Sequence, residues 1–208
     1  MWPMTDRYGD GGAVVARLVE ESAALKRTLI SQAGVILDIA GQLVDAFRHG
    51  NKVLLFGNGG SAADAQHIAC ELAGKFYMDR DPLPAIALTA NTSSVTAIAN
   101  DYAYQEIFAR QIRGLARRGD VAIGISTSGN SPNVVAGIEE AKRCGLVTVA
   151  LTGQGGRLVE IAEYVVSVPS EDTPRVQEAH ITAGHIICYL VEEALFGENS
   201  PSSKARSV

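Results

Sequence analysis

Five short runs of aliphatic and β-branched residues recur along this chain: Val53–Phe56, Ala85–Leu88, Val121–Ile125, Val147–Leu151 and Tyr164–Val168. Runs this short and this continuously apolar are the signature of strands covered on both faces. Between them lie helical patterns at Ala62–Phe76, Tyr104–Arg117 and Val134–Cys144. That alternation predicts parallel strands, because a parallel pair needs a crossover of a dozen residues or more and a helix supplies it. The expected fold is α/β, a three-layer αβα sandwich around a five-stranded parallel sheet of flavodoxin-like type.

Two further helical patterns flank the alternating region. Val35, Ile36, Ile39, Leu43, Val44 and Phe47 repeat at helical spacing, with Gly50 where a C-terminal cap belongs. A long pattern over Gln177–Leu195 carries Ile181, Ile186, Ile187, Leu190 and Val191, and either covers the sheet or packs on another subunit. At 208 residues the chain suits one core. A single domain with N-terminal helices is expected over residues 13–197, with flexible ends at 1–12 and 198–208, where Gly, Pro and polar residues replace periodicity.

Composition excludes several roles. A net charge of -5 argues against a nucleic-acid partner, since neutralising phosphates takes clustered Lys and Arg. The nearest cluster, Arg113, Arg117 and Arg118, reads as one solvated helix face. Cys70, Cys144 and Cys188 lie far apart without CxxC spacing, which points to reduced thiols in the cytoplasm. No apolar stretch reaches the ~18 residues expected of a bilayer span, so no membrane association is expected, and the N-terminus lacks a signal-peptide pattern.

In open parallel sheets ligands bind beyond the carboxyl ends of the strands, and two such ends stand out. The first strand runs into Gly57-Asn58-Gly59-Gly60-Ser61-Ala62, which formally satisfies a dinucleotide-binding GxGxxA. That reading fails downstream, because the next strand ends in Thr89-Ala90-Asn91 without the acid that would hold a ribose; no nucleotide cofactor is expected. The third strand runs into Ser126-Thr127-Ser128-Gly129-Asn130-Ser131-Pro132. Hydroxyls placed just before a helix N-terminus donate to an anion without a cationic side chain, while the plain alternative is a Ser-rich turn that caps the helix. His67 and Glu71, at i and i+4, share one helix face. They are either a solvated pair or, given the Ala, Ile and Cys around them, a buried acid–base or metal pair.

Four segments, GNGGSAADAQHIACELAGKF, TAIANDYAYQEIFARQI, GISTSGNSPNVV and QEAHITAGHI, taken in order resemble the phosphoheptose isomerases of the sugar isomerase (SIS) domain family. The resemblance spans roughly Gln32 to Phe196. It implies an aldose–ketose isomerase converting sedoheptulose 7-phosphate to D-glycero-D-manno-heptose 7-phosphate through an enediol, at the first step of nucleotide-activated heptose synthesis. It implies that Ser61, Ser126, Thr127, Ser128 and Ser131 hold the phosphate, and that Asn58, Gly59, Gly60, Asn100 and Asp101 contact the sugar chain, with Glu71 and Gln177 also facing the substrate. From the residues alone, Asn100 and Asp101 read equally well as a helix cap or Asx turn.

The resemblance further implies one zinc ion per subunit on His67, Glu71, Gln177 and His185, and a homotetramer whose active sites are lined by more than one chain. Eight residues separate Gln177 from His185, ~12 Å along a helix, so the two side chains must lean together or a second subunit must contribute. On spacing alone His180 is a rival ligand; a core or interface role suits it better. Glu71 is the expected base and His185 the expected acid, although ligation lowers the basicity of a carboxylate and leaves open whether Glu71 is base, ligand or both. Two rival readings share the loops: a phosphosugar-binding module without catalysis, which has no use for an acid and a base in one pocket, and an isomerase or lyase acting on another phosphosugar.

Overall fold

The computed structural model describes residues 10–197. Strands β1 (Val53–Gly57), β2 (Ala85–Ala87), β3 (Val121–Ser126), β4 (Val147–Thr152) and β5 (Tyr164–Ser167) form one parallel sheet in the order β2-β1-β3-β4-β5. Val53 stands opposite Ala85 on one side and Val121 on the other, and Val121 in turn opposite Val147. The chain moves outward from β1 to β2, then crosses back over β1 to build β3. The carboxyl ends of β1 and β3 are therefore neighbours at the point where the winding reverses, which is where open sheets bind ligands.

Among the described residues eight α-helices surround the sheet: α1 (Gly11–Arg27), α2 (Ala33–Arg48), α3 (Gly60–Ala73), α4 (Thr92–Asp101), α5 (Ile107–Leu115), α6 (Pro132–Arg143), α7 (Arg157–Ile161) and α8 (Thr173–Phe196). Side chains alternate across a strand, so each strand feeds two cores. Leu55, Ile123, Val149 and Val166 pack with Ile39 and Leu43 of α2, Ile68 and Leu72 of α3, and Ala183 and Ile187 of α8. Leu54, Phe56, Ala122 and Ala150 face the other way, toward Phe108 and Ile112 of α5 and Val134 and Ile138 of α6. Each fully buried side chain of this size contributes about 1.5–3 kcal/mol. The three-layer sandwich read from the alternation is the observed architecture.

Several boundaries differ from expectation. Helix α1 begins at Gly11, inside the stretch expected to be flexible, because the Asp10 carboxylate accepts hydrogen bonds from the backbone N–H groups of Gly12 and Ala13; residues 1–9 and 198–208 lie outside the described residues. Helices α1 and α4 bury little: Ser22 is the only buried residue of α1, and in α4 none is fully buried, Val95, Ile98 and Ala99 packing partly buried on the core. Helix α5 stops at Leu115, so Arg117 and Arg118 are not on it, and Arg113 is paired with Glu140. The helical run Gly11–Arg48 contains an 18-residue window of mean hydropathy 1.3, long and apolar enough by length and composition alone to cross a membrane. Its apolarity has a local use, since Ile36, Ile39, Leu43 and Val44 are the face of α2 packed in the core.

Candidate active site

The two loops singled out in the sequence meet at the reversal point. Neither helix that follows is capped by its own N-cap side chain: Gly59 has none to offer α3, and Ser131, the N-cap of α6, makes no capping bond. Instead Ser131 Oγ lies 2.9 Å from Ser126 Oγ, which is 3.4 Å from Ser128 Oγ. Hydroxyls that turn to one another at the head of an uncapped helix form a concave donor cluster suited to a phosphate. The turn-capping alternative fails at Ser131. Ser61 and Ser126 are buried, Thr127 and Ser131 half-buried and Ser128 exposed, so the cluster runs from the protein interior to solvent.

A cleft of about 460 Å³ opens beside this cluster, lined by Thr127 and Ser128 with Gln154, Gly155, Gly156, Ser170, Glu171 and Thr173. The last six were not anticipated, although Gly153-Gln154-Gly155-Gly156 follows a strand as the other two loops do. The loops are packed backbone against backbone: a side chain on Gly129, at φ +65°, would overlap the Gly155 carbonyl. The Asn58 amide forms a reciprocal pair with Asn133, 2.8 Å in both directions, and accepts from the Tyr104 hydroxyl at 3.1 Å, which braces the first loop against α6.

The second half of the site lies in the groove between α3 and α8, which run parallel in near-constant register. Gly60 faces Gln177, Ile68 packs on Gly184, and His67 meets His185, Nε2 to Nε2, at 2.9 Å. Glu71 Oε1 is 3.4 Å from His67 Nε2. A Cβ at Gly60 would overlap the Gln177 amide; glycine is what lets Gln177 cross the head of α3. The expectation of burial is corrected here. Ala65, Ile68, Ala69 and Leu72 are the core face of α3, while the His67 and Glu71 side chains are 48% and 21% exposed.

Could this groove hold an ion? One atom each from His67, Glu71 and His185 lies within 4.8 Å of the others. Two ligand atoms at ordinary zinc distances and a tetrahedral angle stand ~3.3 Å apart, close to the 2.9 and 3.4 Å observed. Two imidazoles and a carboxylate are a fitting donor set for zinc with a position left open. Gln177 approaches from the start of α3, seven residues before His67. His180 does not compete: it is fully buried and its Nε2 is bonded to the Thr152 carbonyl at 2.9 Å, the core role expected. Burial holds its imidazole below the usual range, with the Thr152 bond opposing.

Asp64 was passed over in the sequence. It stands one turn before His67 on α3, its Oδ2 is buried without a partner, and burial pushes the carboxyl up to about 6 against the opposing pull of His67. The i−3 spacing to His67 was the available signal. Asn100 and Asp101 close α4, exposed and hydrogen-bonded to each other at 2.9 Å. Among the described residues they make no hydrogen bond to the rest of the site.

Comparison with known proteins follows the same lines. The family model described as SIS domain matches residues 18–153. A phosphoheptose isomerase of Aquifex aeolicus is 55% identical over 181 residues, 86% of this chain and 95% of the relative. One from Aneurinibacillus thermoaerophilus is 47% identical over 190 residues, covering 89% and 96%. The solved phosphoheptose isomerase of Neisseria gonorrhoeae superposes with a TM-score of 0.81 at 37% identity, covering 88% of this chain and 98% of that one.

Proposed function

The chain belongs to the SIS domain family and, within it, to the phosphoheptose isomerases, and on that premise we propose that it interconverts sedoheptulose 7-phosphate and D-glycero-D-manno-heptose 7-phosphate. The observation that carries the mechanism is the meeting of His67, Glu71 and His185 in one groove. An aldose–ketose isomerisation moves one proton between C1 and C2 through an enediol, and needs a base at carbon and an acid at oxygen. Starting from the ketose, Glu71 removes a C1 proton while His185 protonates the C2 oxygen; Glu71 then delivers a proton to C2 as the O1 hydroxyl gives its proton back to His185, leaving the C1 aldehyde. Glu71 Oε1 is the oxygen turned to His67, which leaves Oε2 for the proton and reconciles the roles of ligand and base.

His67, Glu71 and His185, with Gln177 reaching in from the head of α3, would hold a zinc ion. The chemistry zinc supplies when bound is Lewis-acid polarisation of the substrate oxygens. Ser61, Ser126, Thr127, Ser128 and Ser131 hold the phosphate in this reading, and the backbone of Asn58, Gly59 and Gly60 with Asn100 and Asp101 borders the sugar. The enzyme works as a cytoplasmic homotetramer. Supporting the assembly, Val15 and Val19 of α1, Ile30 and Leu37 are 63%, 60%, 76% and 56% exposed, a line of apolar residues that a neighbouring copy would cover. A pure binding module has no use for a carboxylate and an imidazole in contact.

The test is direct. Purified protein is mixed with sedoheptulose 7-phosphate and heptose 7-phosphate is followed by NMR, with and without chelator. Conversion that the chelator slows is the expected result; no conversion under either condition favours the binding module.

A further inference from the structure

We propose that Arg80 and Glu192 are positioning residues of the active site, a buried clamp that fixes how His185 faces His67 and Glu71. The proposal rests on the reading of those three residues as a metal and acid–base centre. Glu192 lies two turns beyond His185 on α8 and is 1% exposed. Its Oε1 accepts from Phe76 N at 3.1 Å and Arg80 Nε at 3.0 Å, and its Oε2 accepts from Tyr77 N at 2.7 Å and Met78 N at 3.0 Å. Three successive backbone N–H groups and a guanidinium thus close on one carboxylate.

Arg80 is equally committed. Its Nη2 donates to the Glu71 carbonyl at 2.9 Å, and its Nη1 to the carbonyls of Leu72 at 2.8 Å, Gly74 at 3.2 Å and Asp81 at 3.0 Å. Those of Glu71, Leu72 and Gly74 are carbonyls that the end of α3 leaves without intrahelical partners; Asp81 lies beyond the helix. One ion pair, 2% exposed on both sides, therefore ties the last turn of the helix that carries His67 and Glu71 to the helix that carries His185.

The clamp also reaches the imidazole itself. The segment that Glu192 holds places the Phe76 ring against His185, centroids 5.8 Å apart, and Tyr77 edge-on to Tyr189 at 6.2 Å. Glu192 fixes the Phe76 backbone, and the Phe76 ring limits the rotation of His185. A buried ion pair is a poor device for stability, because desolvation consumes much of its Coulomb gain. Setting the geometry of a site is the better-suited use, and outer residues that orient metal ligands change affinity by about 10–100-fold when altered.

The experiment measures Zn²⁺ affinity of metal-free protein by competition with a chromophoric chelator. It compares wild type with Glu192→Gln, Arg80→Lys and Phe76→Leu, circular dichroism reporting fold. Phe76→Leu keeps the backbone N–H that Glu192 accepts and removes the ring that packs on His185 and on Tyr77. The expected result is affinity at least threefold weaker in Phe76→Leu and in each clamp variant that folds, with kcat falling while KM for the sugar phosphate stays. If neither clamp variant folds, Phe76→Leu decides alone. Any folded variant within threefold of wild type overturns the clamp, and a wild type that binds no zinc overturns the metal reading along with it.

Discussion

His67 and His185, 118 residues apart in sequence, bring their Nε2 atoms to 2.9 Å. Nothing local dictates that meeting. It follows from the parallel docking of α3 and α8, with Gly60 under Gln177 at one end and Ile68 on Gly184 in the middle. The proposed chemistry is a consequence of this register.

Replacing the base should stop turnover without unfolding the protein. Glu71→Gln keeps the shape of a side chain that is partly exposed, and general-base loss costs about 10²–10⁴-fold in rate. Steady-state kinetics with a thermal melt checks this; unchanged turnover in a folded variant rejects Glu71 as base.

The hydroxyl cradle should act on binding. Ser126→Ala removes the group that faces both Ser128 and Ser131, and a hydrogen bond to a charged group is worth about 1.5–3 kcal/mol. KM for the sugar phosphate should rise by about 10–100-fold, the equivalent of that energy, with a much smaller change in kcat.

Gly60→Ala tests the crossing of Gln177. The added methyl overlaps the Gln177 amide, and overpacking at a fixed site costs about 1–3 kcal/mol. A lowered Tm with a loss in kcat/KM is expected, whereas the exposed Gly41, with nothing near its missing Cβ, should accept Ala with activity intact.

Stability should depend on pH through His180. Burial lowers its folded pKa, so the unfolded chain takes up a proton below about 6.5 that the folded protein refuses. Stability from this residue is therefore complete above that pH and lost as pH falls. Urea melts between pH 5 and 7.5 should weaken toward acid, and His180→Gln should flatten the slope; an unaltered slope assigns the dependence elsewhere.

The sheet and its flanking layers were legible because buried parallel strands leave continuous apolar runs, and Val53–Phe56 and Val121–Ile125 fall within observed strands. N-terminal helices were expected, whereas α4 was not, its Val95, Ile98 and Ala99 being a short apolar stripe among polar neighbours. The two anion loops were visible from their glycines and hydroxyls. The engagement of Asn58 with Asn133 was not, because it depends on which loop faces which across the sheet. His67 and Glu71 were paired by helical spacing, but their exposure was misjudged: the apolar neighbours that suggested burial face the opposite side of α3.

The most direct test of the central claim is isomerisation in D₂O. If Glu71 takes the C1 proton and that proton exchanges with solvent in the enediol state before delivery to C2, the heptose 7-phosphate formed from sedoheptulose 7-phosphate carries solvent deuterium at C2, and Glu71→Gln abolishes both product and label. Product formed at wild-type rate by the variant, or no product from the wild-type protein, contradicts the account.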